Sequence, residues 1–164
     1  MLEIAVAEAE DIPALVKAHG RAFADDRERY GMGPAGFGDP AWHRIIREQL
    51  HYFVMREAGE IVGGIIVADE GEGRYFLNTL FVDPAAQGFG YGAQALAFLD
   101  ATFPDARLWW LVTPQGSLPA QRLYERSGYV RVGEISGDES GDRGEHRALS
   151  LRAGASAGVS CARL

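Results

Sequence analysis

The sequence predicts an α+β fold with a central mixed, mostly antiparallel sheet of about seven strands and about four helices. Three strand-like runs in the middle of the chain are joined by short turns, which indicates antiparallel hairpins. Apolar residues at helical spacing lie on either side of those runs. The chain has 164 residues, 47% of them hydrophobic, which suits one domain with a single core.

The first part of the chain is predicted to hold one strand and two helices around a loop. Leu2–Val6 is strand-like, and apolar residues between Asp11 and Ala24 share one helical face, with Asp11 as N-cap. Residues 27–40 are rich in glycine and proline and are predicted to be an irregular loop. A short helix is expected over residues 41–49.

The rest of the chain is predicted to alternate between strands and helices. The expected strands cover residues 51–57, 60–68, 74–82, 107–112, 129–135 and 146–151. The expected helices run from the glycine-rich stretch to Thr102 and from Pro119 to Ser127, the second closed by Gly128 at C′. We expect one domain over residues 1–152 and a disordered tail over residues 153–164, which offers little apolar surface.

The run QGFGYG, Gln87 to Gly92, places a glycine at every second position between a strand and a helix. Each glycine costs roughly 0.5–1 kcal/mol relative to alanine in either element, so bare backbone must be needed there. The first N–H groups of a helix lack intrahelical partners and carry partial positive charge. The arrangement is therefore typical of an anion site, with a plain tight turn as the alternative.

Two common phosphate-binding motifs fit this run poorly. A P-loop needs Gly-Lys-Ser/Thr where Ala93 and Gln94 stand, so it is excluded. The dinucleotide fingerprint is matched formally by Gly88, Gly90 and Ala93, but the next strand does not end on the acidic residue that this fingerprint expects.

Two stretches resemble the GNAT superfamily of N-acetyltransferases. LFVDPAAQGFGYGAQAL, residues 80–96, is similar to its acetyl-CoA motif, in which Gln87, Gly90 and Gly92 fill the characteristic positions. PAQRLYERSGYVRVGE resembles its second signature, filled here by Ala120, Leu123, Tyr124, Glu125, Gly128 and Tyr129. The resemblance covers roughly residues 2–152 and implies a single acetyltransferase-like domain there.

The resemblance implies acetyl-CoA as co-substrate and transfer of its acetyl group to a primary amine by direct attack. In the family the pyrophosphate lies on the glycine loop and the pantetheine arm pairs with the preceding strand. The implied cofactor-binding residues are Leu80, Phe81, Val82, Gln87, Gly88, Phe89, Gly90, Tyr91, Gly92 and Ser117. Ser117 stands where the family usually has asparagine, and Gln87 where many relatives have arginine.

Tyr124 is the candidate acid for the departing thiolate, with a packing role as the alternative. An amine of pKa about 10.4 is almost fully protonated at pH 7 and needs a base or a conditioned site. The strand RYFLNTLFV carries no acid where relatives often have glutamate. Candidates for the base are a water oriented by Asn78 or Thr79, or one of His43, His51 and Asp26.

Composition limits the partners. The net charge of −7 argues against nonspecific binding to nucleic acid. We expect no membrane span, because no run approaches 18 apolar residues, and no metal site, because the single cysteine and four histidines show no ligand spacing. The expectation is a cytoplasmic protein that acts on a small-molecule or peptide amine, with a homodimer left open.

The acceptor is expected to bind along residues 25–42, where acidic and aromatic side chains occur together. They would suit a cationic amine, but an ordinary solvated loop would have the same composition. Because the strand acid is missing and Ser117 replaces asparagine, a non-catalytic acyl-CoA-binding or sensor domain is the alternative function. A nucleotide-cofactor oxidoreductase is more distant.

Overall fold

The computed structural model describes residues 1–30, 34–135 and 147–154. The strands in this part of the chain are β1 Leu2–Val6, β2 His51–Glu57, β3 Glu60–Asp69, β4 Arg74–Val82, β5 Leu108–Pro114, β6 Val130–Ile135 and β7 Arg147–Ala153. The α-helices are α1 Ile12–Ala22, α2 Ala24–Tyr30, α3 Pro40–Gln49, α4 Tyr91–Thr102 and α5 Leu118–Arg126. Short 3-10 turns cover Ala9–Asp11 and Pro84–Ala86.

The strands form one sheet in the order β1-β2-β3-β4-β5-β7-β6. Strand pairs β1–β2, β2–β3, β5–β7 and β6–β7 are antiparallel, and β4–β5 is parallel. The prediction of an α+β fold with a mixed, mostly antiparallel sheet is therefore confirmed. The described residues contain five α-helices instead of about four.

The additional helix is α2, which lies partly in the predicted loop. Asp25 and Asp26 lie in its first turn and Arg27 and Arg29 in its last, so its charges complement the helix dipole. The irregular-loop prediction was wrong for this part because glycine and proline begin only after Tyr30. Helix α2 therefore forms without an apolar stripe, and the charges at its two ends favour it.

Asp11 precedes α1 as predicted, but its side chain does not cap that helix. One carboxylate oxygen accepts the Glu8 N–H at 3.0 Å, and the other accepts from the Arg56 guanidinium at 2.5 Å. The carboxylate therefore closes the preceding 3-10 turn and ties it to β2.

The described chain divides into two compact units. The first unit consists of residues 1–68 and 79–95, and the second contains residues 69–78 and those from 96 onward. The core of the first unit is formed by Ala7, Ile12, Leu15, Ala18, Tyr52, Val54, Ile66 and Phe81. In the second unit Trp109 is fully buried and stacks on Tyr75, with 5.0 Å between ring centroids. A single domain over residues 1–152 stays a prediction.

The prediction of a disordered tail was wrong for its first two residues, Ala153 and Gly154. Ala153 is the last residue of β7, and Gly154 is buried and donates its N–H to the Arg107 carbonyl at 2.9 Å. The remainder of the predicted tail, residues 155–164, lies outside the described residues, as do the acidic run SGDESGDRGE and His146.

Candidate functional site

The glycine turn leads directly into α4. Gly88 and Gly90 have φ angles of +87° and +78°, which L side chains rarely adopt. A Cβ built on either glycine would meet no atom within 4 Å. Helix α4 starts at Tyr91, and Gln94 donates the first bond, to the Gly90 carbonyl at 3.1 Å. The space beside Gly88 and Gly90 is therefore open at a helix N-terminus, where the first backbone N–H groups have no intrahelical partner.

Side chains at the base of the turn fix its ends. The Gln87 amide donates to the Val82 carbonyl at 3.0 Å, so it closes the 3-10 turn Pro84–Ala86 that precedes the glycines. One carboxylate oxygen of Asp83 accepts the Ala85 N–H at 3.1 Å, and the other accepts from Arg21 Nε at 2.6 Å. These contacts hold the end of β4 against the start of the glycine turn.

Two aromatic residues flank Gly90 at the tip of the turn. Phe89 is 68% exposed, and its ring stacks on Tyr91 with 5.9 Å between centroids and 26° between planes. Two predicted cofactor-binding side chains thus form one aromatic surface beside the exposed backbone.

The strand predicted to bind the cofactor arm is the last part of β4. Leu80 and Val82 are half-buried, whereas Phe81 is buried in the core of the first unit. Only the backbone groups of Phe81 can therefore face a ligand. Asn78 is exposed and lies in the part of β4 that belongs to the second unit. The parallel register of β4 with β5 covers Arg74–Phe76.

Two glycines of β3 let Phe81 approach closely. A Cβ on Gly63 would lie 2.3 Å from the Phe81 carbonyl oxygen, and one on Gly64 would lie 2.7 Å from the Phe81 ring. A side chain at Gly63 would therefore collide with the backbone of β4, and one at Gly64 would displace the Phe81 ring. Sequence reasoning missed this role, and the paired glycines inside an apolar strand were the available signal.

Helix α5 carries Tyr124 and begins after Ser117. Ser117 occupies the N-cap position, but its side chain makes no capping bond. The helix ends in a Schellman motif, in which Gly128 has a φ of +88° and donates to the Glu125 carbonyl at 3.1 Å. Tyr129 donates its N–H to the Tyr124 carbonyl at 3.0 Å, which confirms the predicted C′ glycine.

The Tyr124 side chain packs against Tyr129 of the second unit. Its ring is half-buried and contacts Tyr129 edge-on, with 5.5 Å between centroids. Burial, with a smaller effect of Tyr129, raises the pKa of the Tyr124 hydroxyl well above its ordinary value. The Arg152 guanidinium lies 5.0 Å from the centre of the Tyr129 ring and donates two bonds to Asp100, at 2.8 and 2.5 Å.

The candidate base His43 is fully buried, and both of its ring nitrogens are engaged. Nε2 lies 3.1 Å from the Gly36 carbonyl and Nδ1 lies 2.8 Å from the Tyr52 hydroxyl. A carbonyl only accepts, so Nε2 carries the proton and Nδ1 accepts from Tyr52. Burial lowers the pKa of His43. His43 therefore anchors the segment around Gly36.

The other titratable candidates occupy different environments. His51 is exposed at the start of β2 and stacks on Phe53 at 6.4 Å. Asp26 is half-buried, and burial raises its pKa. His19 of α1 is fully buried, and neither ring nitrogen has a hydrogen-bond partner among the described residues. Within the same residues, no group of three or more His, Cys, Asp or Glu could hold a metal ion.

The mixed sheet and the glycine turn at a helix start agree with the fold of the acetyltransferases that the family comparison identifies. The family model of the acetyltransferase (GNAT) family matches residues 13–129, and the chain belongs to that family. Members of this family are transferases that use acetyl-CoA. No curated protein matches the chain in sequence. No helix in the described part of the chain is long and apolar enough to cross a membrane.

Several solved structures share the fold. The ribosomal-protein-S18-alanine N-acetyltransferase from Escherichia coli is 18% identical, with a TM-score of 0.74 and coverage of 100% of this chain and 99% of that one. Ard1 from Thermoplasma volcanium is 15% identical, with a TM-score of 0.76 and coverage of 93% and 97%. PaiA N-acetyltransferase from Thermoplasma acidophilum, solved with coenzyme A, is 11% identical, with a TM-score of 0.73 and coverage of 93% and 99%.

Proposed function

We propose that this protein is an N-acetyltransferase that moves the acetyl group of acetyl-CoA to a primary amine by direct attack. The observation that carries the proposal is the turn of Gly88 and Gly90, which leads into α4 and has open space where a Cβ would lie. A diphosphate is an anion that such a helix start attracts through its N–H groups and its dipole. The residues present therefore fit the co-substrate.

The other cofactor roles follow from the placement of each residue. The backbone of Leu80 to Val82 would pair with the pantetheine arm, as an added strand pairs with a sheet. The turn itself would hold the diphosphate through Gln87, Gly88, Phe89, Gly90, Tyr91 and Gly92. Ser117 has a hydroxyl that is not used in capping α5 and would serve as a polar contact.

The acceptor in this proposal is a small-molecule or peptide amine. At pH 7 an amine of pKa about 10.4 is neutral about once in 2,500 molecules, so deprotonation costs about 4–5 kcal/mol. Because β4 carries no acid, Asn78 would act by orienting a water that takes the proton. His43 is not used in this role, since both of its nitrogens are engaged.

Tyr124 is proposed as the group that protonates the departing thiolate. Burial raises the pKa of its hydroxyl, so the side chain keeps its proton throughout the physiological range. The same shift makes the hydroxyl a weaker acid than a free tyrosine. Tyr124 would therefore donate a hydrogen bond to the sulfur first and give up the proton only as the C–S bond breaks.

The alternative is a non-catalytic acyl-CoA-binding or sensor domain. It is favoured by the lack of an acid on β4 and by the engaged nitrogens of His43. In this alternative the glycine turn binds the same ligand, but no thiol is released when an amine is added.

Acetyl-CoA-dependent release of free thiol across a panel of amines tests the proposal. The variant that tests the binding site is Gly90→Val, which fills the open space and strains a φ of +78°. Its matched variant is Gly59→Val, because Gly59 also has a positive φ of +82° and open space but lies in the β2–β3 turn. Both should lose about 1–3 kcal/mol of stability. Only Gly90→Val should lose acetyl-CoA binding by calorimetry.

Release of thiol by the wild type with at least one amine would establish the transferase. Binding of acetyl-CoA without release on any amine would favour the sensor domain. Unchanged acetyl-CoA affinity in a folded Gly90→Val protein would refute the assignment of the glycine turn.

A further inference from the structure

Asp83 lies where three elements of the first unit meet. Its backbone N–H donates to the Val62 carbonyl of β3 at 2.8 Å. One carboxylate oxygen accepts the Ala85 N–H, and the other accepts from two nitrogens of Arg21, Nε at 2.6 Å and Nη2 at 2.5 Å. The side chain of Asp83 is 12% exposed, whereas that of Arg21 is 54% exposed. One residue thus joins a strand, the start of the glycine turn and helix α1.

The other contacts of the glycine turn in the described part of the chain include the Gln87 bond at its start and the stacking of Phe89 on Tyr91. Gly88 and Gly90 have no side chains, and the space in front of both is open. The turn therefore takes its conformation from its ends, which are α4 on one side and the Asp83 junction on the other. A change at Asp83 would reach the backbone N–H groups that face the ligand.

The charge of Asp83 also matters, because the ligand of this turn is an anion. A carboxylate a few residues before a diphosphate site repels the ligand unless a cation neutralises it. Arg21 supplies that cation from the last turn of α1. Without Arg21, the carboxylate would remain largely buried with only the Ala85 N–H as a partner.

We infer that Arg21 is a positioning residue for acetyl-CoA: it neutralises Asp83 and holds the glycine turn in the conformation that binds the diphosphate. This inference rests on the proposed function. Arg21 acts through Asp83 and not by touching the ligand. The two residues are 62 positions apart in sequence, so the pair is a product of the fold.

The test is a double-mutant cycle of Arg21→Met and Asp83→Asn, read as the Kd for coenzyme A by calorimetry. Asparagine keeps an oxygen for the Ala85 N–H and removes the charge. We expect Arg21→Met to raise Kd about 10-fold, because it leaves an unneutralised carboxylate, and Asp83→Asn to raise it about 3-fold. The double variant should bind like Asp83→Asn, so that the second change rescues the first.

The ion pair Arg56–Asp11 is a matched control in the same unit. Its shortest N–O distance is also 2.5 Å, and its side chains are 27% and 11% exposed. Arg56→Met should lower the melting temperature about as much as Arg21→Met, yet it should leave the Kd for coenzyme A within twofold of wild type. A purely structural role would give both variants the same affinity. With saturating acetyl-CoA, kcat of Arg21→Met should stay within about threefold of wild type.

Three results would overturn the inference. The first is an Arg21→Met protein that binds within twofold of wild type. The second is a double variant as weak as Arg21→Met or weaker, which would mean that Arg21 contacts the diphosphate itself. The third is an equal loss of affinity in Arg56→Met. If the wild type binds no coenzyme A at all, the proposed function fails together with the inference.

Discussion

Replacing His19 with leucine should stabilise the protein at neutral pH, although most core substitutions destabilise. The His19 ring is fully buried, and its centroid lies 4.9 Å from Phe23, 5.0 Å from His43 and 5.1 Å from Phe81. Neither ring nitrogen has a partner among the described residues. An unsatisfied buried polar group costs about 1–3 kcal/mol. Leucine has a similar volume but a different shape, so we expect a net gain of about 1 kcal/mol.

His19→Leu should also make the stability of the protein less sensitive to acid. Burial, and to a smaller extent His43, lowers the pKa of His19 from 6.5 to about 4. The unfolded chain therefore binds the proton first, and the stability that is complete above pH 6.5 is lost as the pH falls towards 4. Between pH 7 and pH 5 this linkage removes about 2 kcal/mol from the free energy of unfolding.

Urea unfolding of the wild type and of His19→Leu at pH 7 and pH 5 measures both effects. Carboxylates titrate in both proteins, so their contribution cancels in the comparison. The stability gap should widen by about 2 kcal/mol at pH 5. A stability difference between the two proteins that does not change with pH would refute the conclusion that His19 is buried as a neutral imidazole. A His19→Leu protein less stable than wild type at pH 7 would refute it as well.

Two further predictions concern single residues. Tyr124→Phe should lower kcat about 10²-fold at pH 7 with little change in KM for acetyl-CoA, and the defect should shrink above pH 8.5 as the thiolate leaves unaided. Tyr129→Phe, which removes the hydroxyl of the ring that contacts Tyr124, is its control and should keep wild-type kcat; equal kcat in all three proteins would remove the acid role. Gly36→Ala should cost about 1–3 kcal/mol more than Gly38→Ala in urea unfolding, because its Cβ would lie 2.0 Å from the Trp42 ring, whereas Gly38 has a similar φ and open space. Equal losses of stability in the two variants would mean that the Trp42 ring moves aside at little cost.

Features that depend on neighbours in sequence were predictable. The positive-φ turn at Gly88 and Gly90 and the C′ position of Gly128 were inferred correctly because a left-handed backbone strongly favours glycine. The seven strands were found because short turns and alternating apolar residues are local signals. Helix α2 was partly missed because its seven residues present no apolar face and are defined by charges at its ends.

Features that depend on packing between distant segments were not predictable. Gly63 and Gly64 are adjacent in an apolar run, and only the approach of Phe81 explains them. The partner of Arg21 is 62 residues away, and nothing in the local sequence selects it from the other acids. His43 was a candidate base until the fold placed acceptor and donor groups on its two nitrogens. The catalytic roles of Asn78 and Tyr124 stay predictions.

The position of Trp42 gives the protein an intrinsic optical reporter. Its ring lies against Gly36 and edge-on to His43, with 5.0 Å between ring centroids, so its emission depends on the segment expected to bind the acceptor. The other two tryptophans, Trp109 and Trp110, are in the second unit. Subtracting the spectrum of a Trp42→Phe variant from that of the wild type isolates the single indole. Titration with unlabelled amines would then detect acceptor binding as a spectral change, even for an amine that is bound but never acetylated.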